Sequence, residues 1–203
     1  MTRRNKRGLL VLCAVLCVGG FACKTREPGT KKDGTTEPSN VEDRRPAAIV
    51  EGLRLSPGAH VADIGAGPGA LTIHLARAVA PNGRVVATDI DPESLNHLAT
   101  QIAAAGFEEI VELRLVQGDT PELEDNAFDL ILVADVDNFF RDRDAWLRAA
   151  SRALRERGRI AISNKQEHKA EALAAARAAG LSLVSVTDPV ESRFLAIFEV
   201  ARR

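Results

Sequence analysis

The stretch VADIGAGPGALTIHLA, Val61–Ala76, decides the fold. A short apolar run closes on Gly65, Gly67 and Gly69 follow at once, and apolar residues then return at helical spacing. A buried strand that turns sharply into a helix reads this way. Glycines there let the backbone approach a ligand, and the helix start offers unpaired N–H groups. The turn alone leaves several readings open. GAGPGA also satisfies the G-x-G-x-x-A dinucleotide fingerprint, and a purely structural turn needs no ligand.

Outward from this turn, apolar periodicity alternates between strand and helix. PAAIVEGLRL, from Pro46, predicts a first helix, and HVADIG, GALTIHLARAVA and RVVATDI predict strand, helix, strand. PESLNHLATQIAAAG predicts a helix with Pro92 in its first turn and Gly106 at its end. IVELRLVQG and FDLILVADV predict two more strands, RDAWLRAASRALRERG an amphipathic helix, RIAIS a fifth strand and KAEALAAARAAG a last helix. Alternation of this kind implies parallel strands with helices on both faces. LSLVSVTD and RFLAIFEVAR follow with no helix between them, only a proline-containing turn, so they predict a hairpin. The expected fold is α/β, a Rossmann-like doubly wound sheet of about seven strands, mostly parallel, with one antiparallel strand near the C-terminal edge. A nicotinamide-binding Rossmann domain normally lacks that ending.

Four acids fall at the carboxyl ends of these strands: Asp63, Asp89, Asp119 and Asp135. Open α/β sheets bind ligands at that edge. Asp89 is placed to accept two ribose hydroxyls, and Asp119 to meet an adenine amino group. A carboxylate at Asp63 would repel a pyrophosphate and attract a cation. The set therefore favours a sulfonium cofactor carrying an amino-acid tail.

VADIGAGPG, VVATDIDPESL, VQGD and FDLILVADV, in this order and spacing, resemble the motifs of class I S-adenosylmethionine-dependent methyltransferases over roughly residues 45–203. RPAAIVEGLRLSPGAHVADIGAGPG resembles a subgroup of small bacterial members, some with secretion signals. The resemblance implies S-adenosyl-L-methionine as cofactor. It puts Gly65, Ala66 and Gly67 against the methionine part, with Asp63 near its amino group. Asp89 would hold the ribose, Ile90 would pack on adenine, Asp119 would bond its edge with Thr120 close by, and Asp135 would border the methyl exit. Asp135 or Asp137 would serve as general base for an acceptor that carries a proton.

Departures from the family pattern narrow the chemistry. Where the subgroup carries a histidine pair after strand 4, this chain reads DVDNFF, so no catalytic histidine carries over. There is no N-P-P-Y type motif, which disfavours amino-methylation of adenine or glutamine. Metal-dependent relatives use an Asp-Asn pair after strand 5; here Ser163-Asn164 lacks the acid, and no metal is expected. His60, His74, His97 and His168 have no metal-ligand spacing. Asp137 reads as a solvated loop acid when it is not a base, and Asn138 as a cap. RDRDAWLRAASRALRERGR reads as a solvated helix face of alternating sign rather than a phosphate track.

The chain has 203 residues, a net charge of −1, one tryptophan and no tyrosine. Without the basic start the remainder is mildly acidic, so neither charge nor aromatics support nucleic-acid binding. The three cysteines are Cys13, Cys17 and Cys23, which leaves no disulfide or catalytic thiol for the globular part. MTRRNKRGLLVLCAVLCVGGFAC has a charged n-region, a short apolar run and Cys23 after Ala22. Residues 1–22 thus predict a signal peptide or anchor, and GFAC resembles a bacterial lipobox whose cysteine is acylated. Residues 23–45, poor in large apolar side chains, predict a disordered tether, and 46–203 the methyltransferase domain. The expected location is membrane-tethered and periplasm-facing through Cys23, or cytoplasmic if the start codon lies further along. Expected partners are a small-molecule acceptor and, through the N-terminus alone, the membrane. The rival readings are a non-catalytic binding module and, against the hairpin, a nicotinamide-dependent oxidoreductase.

Overall fold

The computed structural model describes residues 45–118 and 120–201. The expected leader, Cys23 and tether lie outside these residues, as does Asp119. Helix α1 (Pro46–Leu53) is followed by strand β1 (His60–Ile64), helix α2 (Thr72–Val79), strand β2 (Arg84–Asp89), helix α3 (Pro92–Ala105) and strand β3 (Val111–Leu115). Then come strand β4 (Phe128–Ala134), helix α4 (Arg143–Ala150), strand β5 (Leu154–Lys165), helix α5 (Lys169–Ala178) and strands β6 (Leu181–Val190) and β7 (Arg193–Val200). They form one seven-stranded sheet in the order β3-β2-β1-β4-β5-β7-β6.

Strands β1 to β5 pair in parallel, as the alternation predicts. β7 runs antiparallel to both β5 and β6, so the predicted reversed strand lies between them. Side chains on the central strands divide by parity, because successive residues of a strand point to opposite faces. Val61, Leu130 and Leu132 pack with Ile49, Leu53, Leu75 and Leu98 from α1 to α3. Ala62, Ile64, Ile131 and Val133 pack with Trp146, Leu147, Ala172 and Ala176 from α4 and α5. Both faces are covered, which is why β4 reads as a nearly unbroken apolar run.

Helix ends follow local chemistry. Asp91 caps α3 by accepting from Glu93 N and Ser94 N, each at 3.1 Å, and Pro92 fills the first turn. Gly106, at φ 73°, ends it. Asp142 caps α4 by accepting from Ala145 N at 3.0 Å.

Two expectations are corrected. The helix predicted through Gly158 stops at Ala150; a 3-10 turn covers Ser151–Ala153, and Leu154 already pairs with Phe128. The step from Phe128 to Leu130 faces the longer step from Leu154 to Arg159, so Arg155, Glu156 and Arg157 bulge out of β5. Their helix propensity yields to pairing of the apolar residues on either side. Gly158 closes the bulge, since a Cβ there would lie 2.8 Å from Phe128 O. The final turn uses Glu191 and Ser192; Pro189 belongs to β6. β6 is an edge strand, where a missing N–H is tolerated.

Candidate active site

β1 delivers its chain to the sheet's carboxyl edge and must turn at Gly65. That residue has φ 67°, and a Cβ there would come within 2.3 Å of Val136 Cγ1. Only glycine fits both the left-handed backbone and the close approach. The turn is tied to the neighbouring strand: Ala66 N donates to Thr88 O at 2.9 Å. Gly67 N donates to Asp89 Oδ2 at 2.7 Å, and Asp91 N donates to Asp89 Oδ1 at 2.9 Å. Asp89 is therefore fixed by two backbone donors at the end of β2, and each oxygen keeps a lone pair for a further donor.

Asp63 lies under this turn, 1% exposed. It accepts from Thr72 Oγ1 at 2.7 Å, across the start of α2. Burial pushes its carboxyl up to about 6; the Asp89 charge adds to the rise, and the Thr72 bond opposes it. Such an acid is poised for a cation, whose arrival would favour ionisation.

Beside Asp89 opens a cleft of about 390 Å³. Gly65, Asp89, Ile90 and Thr120, four of the residues that the sequence assigns to the cofactor, line it. Ile90 stands 67% exposed at the rim, an apolar side chain with nothing to cover it. Asp63, Ala66 and Gly67 are not among the lining residues; they form the layer beneath and beside it. The opposite wall was not read from the sequence: Val136, Phe139, Phe140 and Trp146. Phe140 and Trp146 stack at 4.3 Å with 15° between their planes, and Phe139 is 79% exposed. The available signal was NFF directly after a strand's carboxyl end, in a chain with few aromatic residues.

Asp135 and Asp137 occupy different environments. Asp135 adopts φ 61° at the end of β4, and Arg193 Nη1 donates to its Oδ1 at 2.5 Å. Asp137 is fully buried, which corrects the expectation of a solvated loop acid. Its Oδ1 accepts from Asn164 Nδ2 at 2.6 Å, and Asn164 also donates to Asn138 Oδ1 at 3.0 Å. Asn138 thus pairs with β5 instead of capping a helix. Asp137 Oδ2 lies 3.5 Å from Arg143 Nε, and that Nε donates to the Asp137 carbonyl at 2.9 Å. Asp137 and Asn138 belong to the turn that carries Phe139 into the cleft wall, so this buried cluster anchors the wall from behind. Neither Asp135 nor Asp137 lines the cleft. Among the described residues, no three His, Cys, Asp or Glu side chains gather to hold a metal.

Residues 62–160 match the family model described as a methyltransferase domain. The seven-stranded sheet around them has the fold of class I methyltransferases. A crystal structure of a SAM-dependent methyltransferase from Aquifex aeolicus superposes with a TM-score of 0.74, covering 81% of this chain and 94% of that one at 21% identity. The chain is 33% identical over 105 residues to the ubiquinone/menaquinone biosynthesis C-methyltransferase UbiE of Hahella chejuensis, covering 52% of this chain and 42% of that protein. It is 30% identical over 132 residues to nocamycin O-methyltransferase of Saccharothrix syringae, covering 64% of this chain and 47% of that protein. The chain thus spans about half the length of these two relatives.

The side chains present fit S-adenosylmethionine. Asp89 offers fixed acceptors for hydroxyl donors, Asp63 offers charge for an ammonium, and Ile90 and Val136 offer apolar cover for a purine. A Cβ at Gly67 would meet nothing within 4 Å, so that side of the turn is open. Trp146 Nε1 is buried with no acceptor among the described residues. An unpaired buried donor costs roughly 1–3 kcal/mol, which a ligand oxygen or nitrogen would recover.

Proposed function

We propose that this domain transfers a methyl group from S-adenosylmethionine to a small apolar acceptor at the cleft lined by Phe139, Phe140 and Trp146. The observation that carries the reading is the Asp89 carboxylate, held by the Gly67 and Asp91 amides at the rim of that cleft. The bound cofactor supplies an activated methyl carbon on a positively charged sulfur. The chain's own work is to hold, orient and dry the reactants, which accounts for much of the barrier lowering in a displacement of this kind. Asp89 and the glycine turn fix the cofactor, Asp63 meets its ammonium, and Thr120 borders the purine side beside Asp119.

The aromatic wall excludes water and presents an apolar surface to the acceptor. An acceptor with an aromatic or conjugated ring would lie well against it. The relatives' names span a carbon and an oxygen acceptor, both compatible with such a wall. Asp135, ion-paired with Arg193, and Asp137 stand outside the cleft lining and serve as positioning residues for the turn that carries the wall. For the rest of the chain, we read residues 1–22 as an export signal and Cys23 as an acylated anchor ahead of the tether to residue 45. The basic start and short apolar run support that reading.

Calorimetric titration of the full chain with S-adenosylmethionine and with its demethylated product tests the cofactor assignment. Saturable binding of both is expected, weakened about tenfold or more by Asp89→Ala, since two hydroxyl bonds to a charged acceptor are lost. Binding of NAD in place of either ligand would overturn the assignment.

A further inference from the structure

A second concavity lies at the opposite, amino-terminal edge of the sheet. It has a volume of about 440 Å³ and is bounded by the loop from Arg54 to Ala59, by Asp129 at the start of β4, and by the β5 bulge. Four arginines line it: Arg54, Arg155, Arg157 and Arg159. Asp129 is the one acid among the lining residues. Its carboxylate is already engaged, accepting from His60 N at 2.8 Å and from Arg155 Nη1 at 2.9 Å. Arg159 Nη2 donates to Leu53 O at 2.9 Å and keeps its remaining N–H groups. The Arg54 and Arg157 side chains make no hydrogen bond or ion pair within the described residues.

The backbone marks the same two arginines. Arg54 has φ 51° and Arg157 φ 66°, a region that glycine or asparagine occupies more cheaply. Arg157 reaches its place only because the three-residue bulge, closed by Gly158, departs from the ladder. The loop after α1 and the first part of β5 thus bring their cations to one space, and like charges there repel one another unless an anion intervenes. His60, whose Nδ1 lies 2.9 Å from Arg155 Nη2, reports the same field. Burial holds it below the usual histidine value, Arg155 adds to the lowering, and Asp129 opposes it.

We propose that this arginine cleft binds a phosphorylated anion carrying more than one negative charge, at a site separate from the cofactor cleft. Guanidinium forks match phosphate oxygens two at a time, and an assembly of several forks selects a multiply charged group over a single carboxylate. A soluble phosphate ester and a phospholipid headgroup share this chemistry. Asp129 serves the site by orienting Arg155 rather than by meeting the ligand.

Pyrophosphate titration of the full chain at low salt, followed by calorimetry, tests the site. In parallel, retention on phosphatidylglycerol vesicles is compared with retention on phosphatidylcholine vesicles. Saturable pyrophosphate binding that weakens with added salt is expected. The double variant R54N/R157N keeps residues that tolerate the left-handed backbone and should lose about tenfold or more in affinity, because two charge-assisted contacts go. R54K/R157K should lose less, since charge persists without the fork. Circular dichroism and the urea midpoint establish that both variants are folded. Preference for phosphatidylglycerol without pyrophosphate binding assigns a lipid headgroup; pyrophosphate binding without that preference assigns a soluble ester. Absence of both, or wild-type affinity in R54N/R157N, overturns the site.

Discussion

Asp63 shows how a single buried acid couples folding to ligand capture. Its carboxyl titrates near 6 in the native chain, against 3.8 for the free group. Between those values the native chain retains a proton that the unfolded chain has released. The free energy of unfolding therefore falls as pH rises through that window, by about 3 kcal/mol in all, and levels off above it. Urea midpoints measured from pH 4 to 8 should show the fall, and Asp63→Asn should remove most of it. The same acid should tie cofactor affinity to pH in the opposite sense, because an ionised carboxylate attracts the ammonium. S-adenosylmethionine should bind more tightly as pH climbs through about 6, and the Asn variant should bind weakly and without that trend. Asp63, Asp89 and the glycines were legible in the sequence because strand ends and turn chemistry fix their positions. Asp137 was not. Its burial depends on Asn164 and Arg143, which reach it from another strand and another helix, and no local pattern encodes that meeting.

At the scale of elements, the turn after β4 and the carboxyl end of β5 form one unit. Asn164 donates to both Asp137 and Asn138, and Phe139 extends from the same turn into the cleft. Asn164→Ala would leave the Asp137 carboxylate buried with Arg143 as its remaining cationic neighbour. A destabilisation of about 2–3 kcal/mol is expected, in keeping with the loss of a partner from a buried charged cluster. Trp146 is the sole tryptophan and stacks on Phe140, so its fluorescence should change together with the urea midpoint. An unaltered midpoint would show that the cluster does not anchor the wall. Most elements were readable because apolar spacing and caps such as Asp91 act locally. The boundary between α4 and β5 was not, since RALRERG has the composition of a helix and becomes strand through pairing with β4. The same misreading hid the arginine cleft, three of whose four cations, Arg155, Arg157 and Arg159, were assigned to a solvated helix face.

For the whole molecule, the two concavities lie at opposite edges of one sheet, so catalysis and anion capture need not compete for space. Among the described residues no helix is long and apolar enough to cross a membrane. The acylated anchor proposed at the lipobox-like GFAC lies outside those residues. Fractionation of cells making the full chain, beside Cys23→Ser, should find the wild type with membranes and the variant shifted to the soluble fraction. Equal distribution of the two would remove the acylated anchor from the proposal.

The placing of β7 between β5 and β6 bears on how this chain is made. An inner lane of the sheet is filled by Arg193–Val200, after every other strand has been synthesised. Until that segment emerges, β6 has no neighbour and β5 presents a bare, largely apolar border. The sheet can close only once that last strand is available, and until then the exposed border is where wrong pairing or capture by a chaperone would occur.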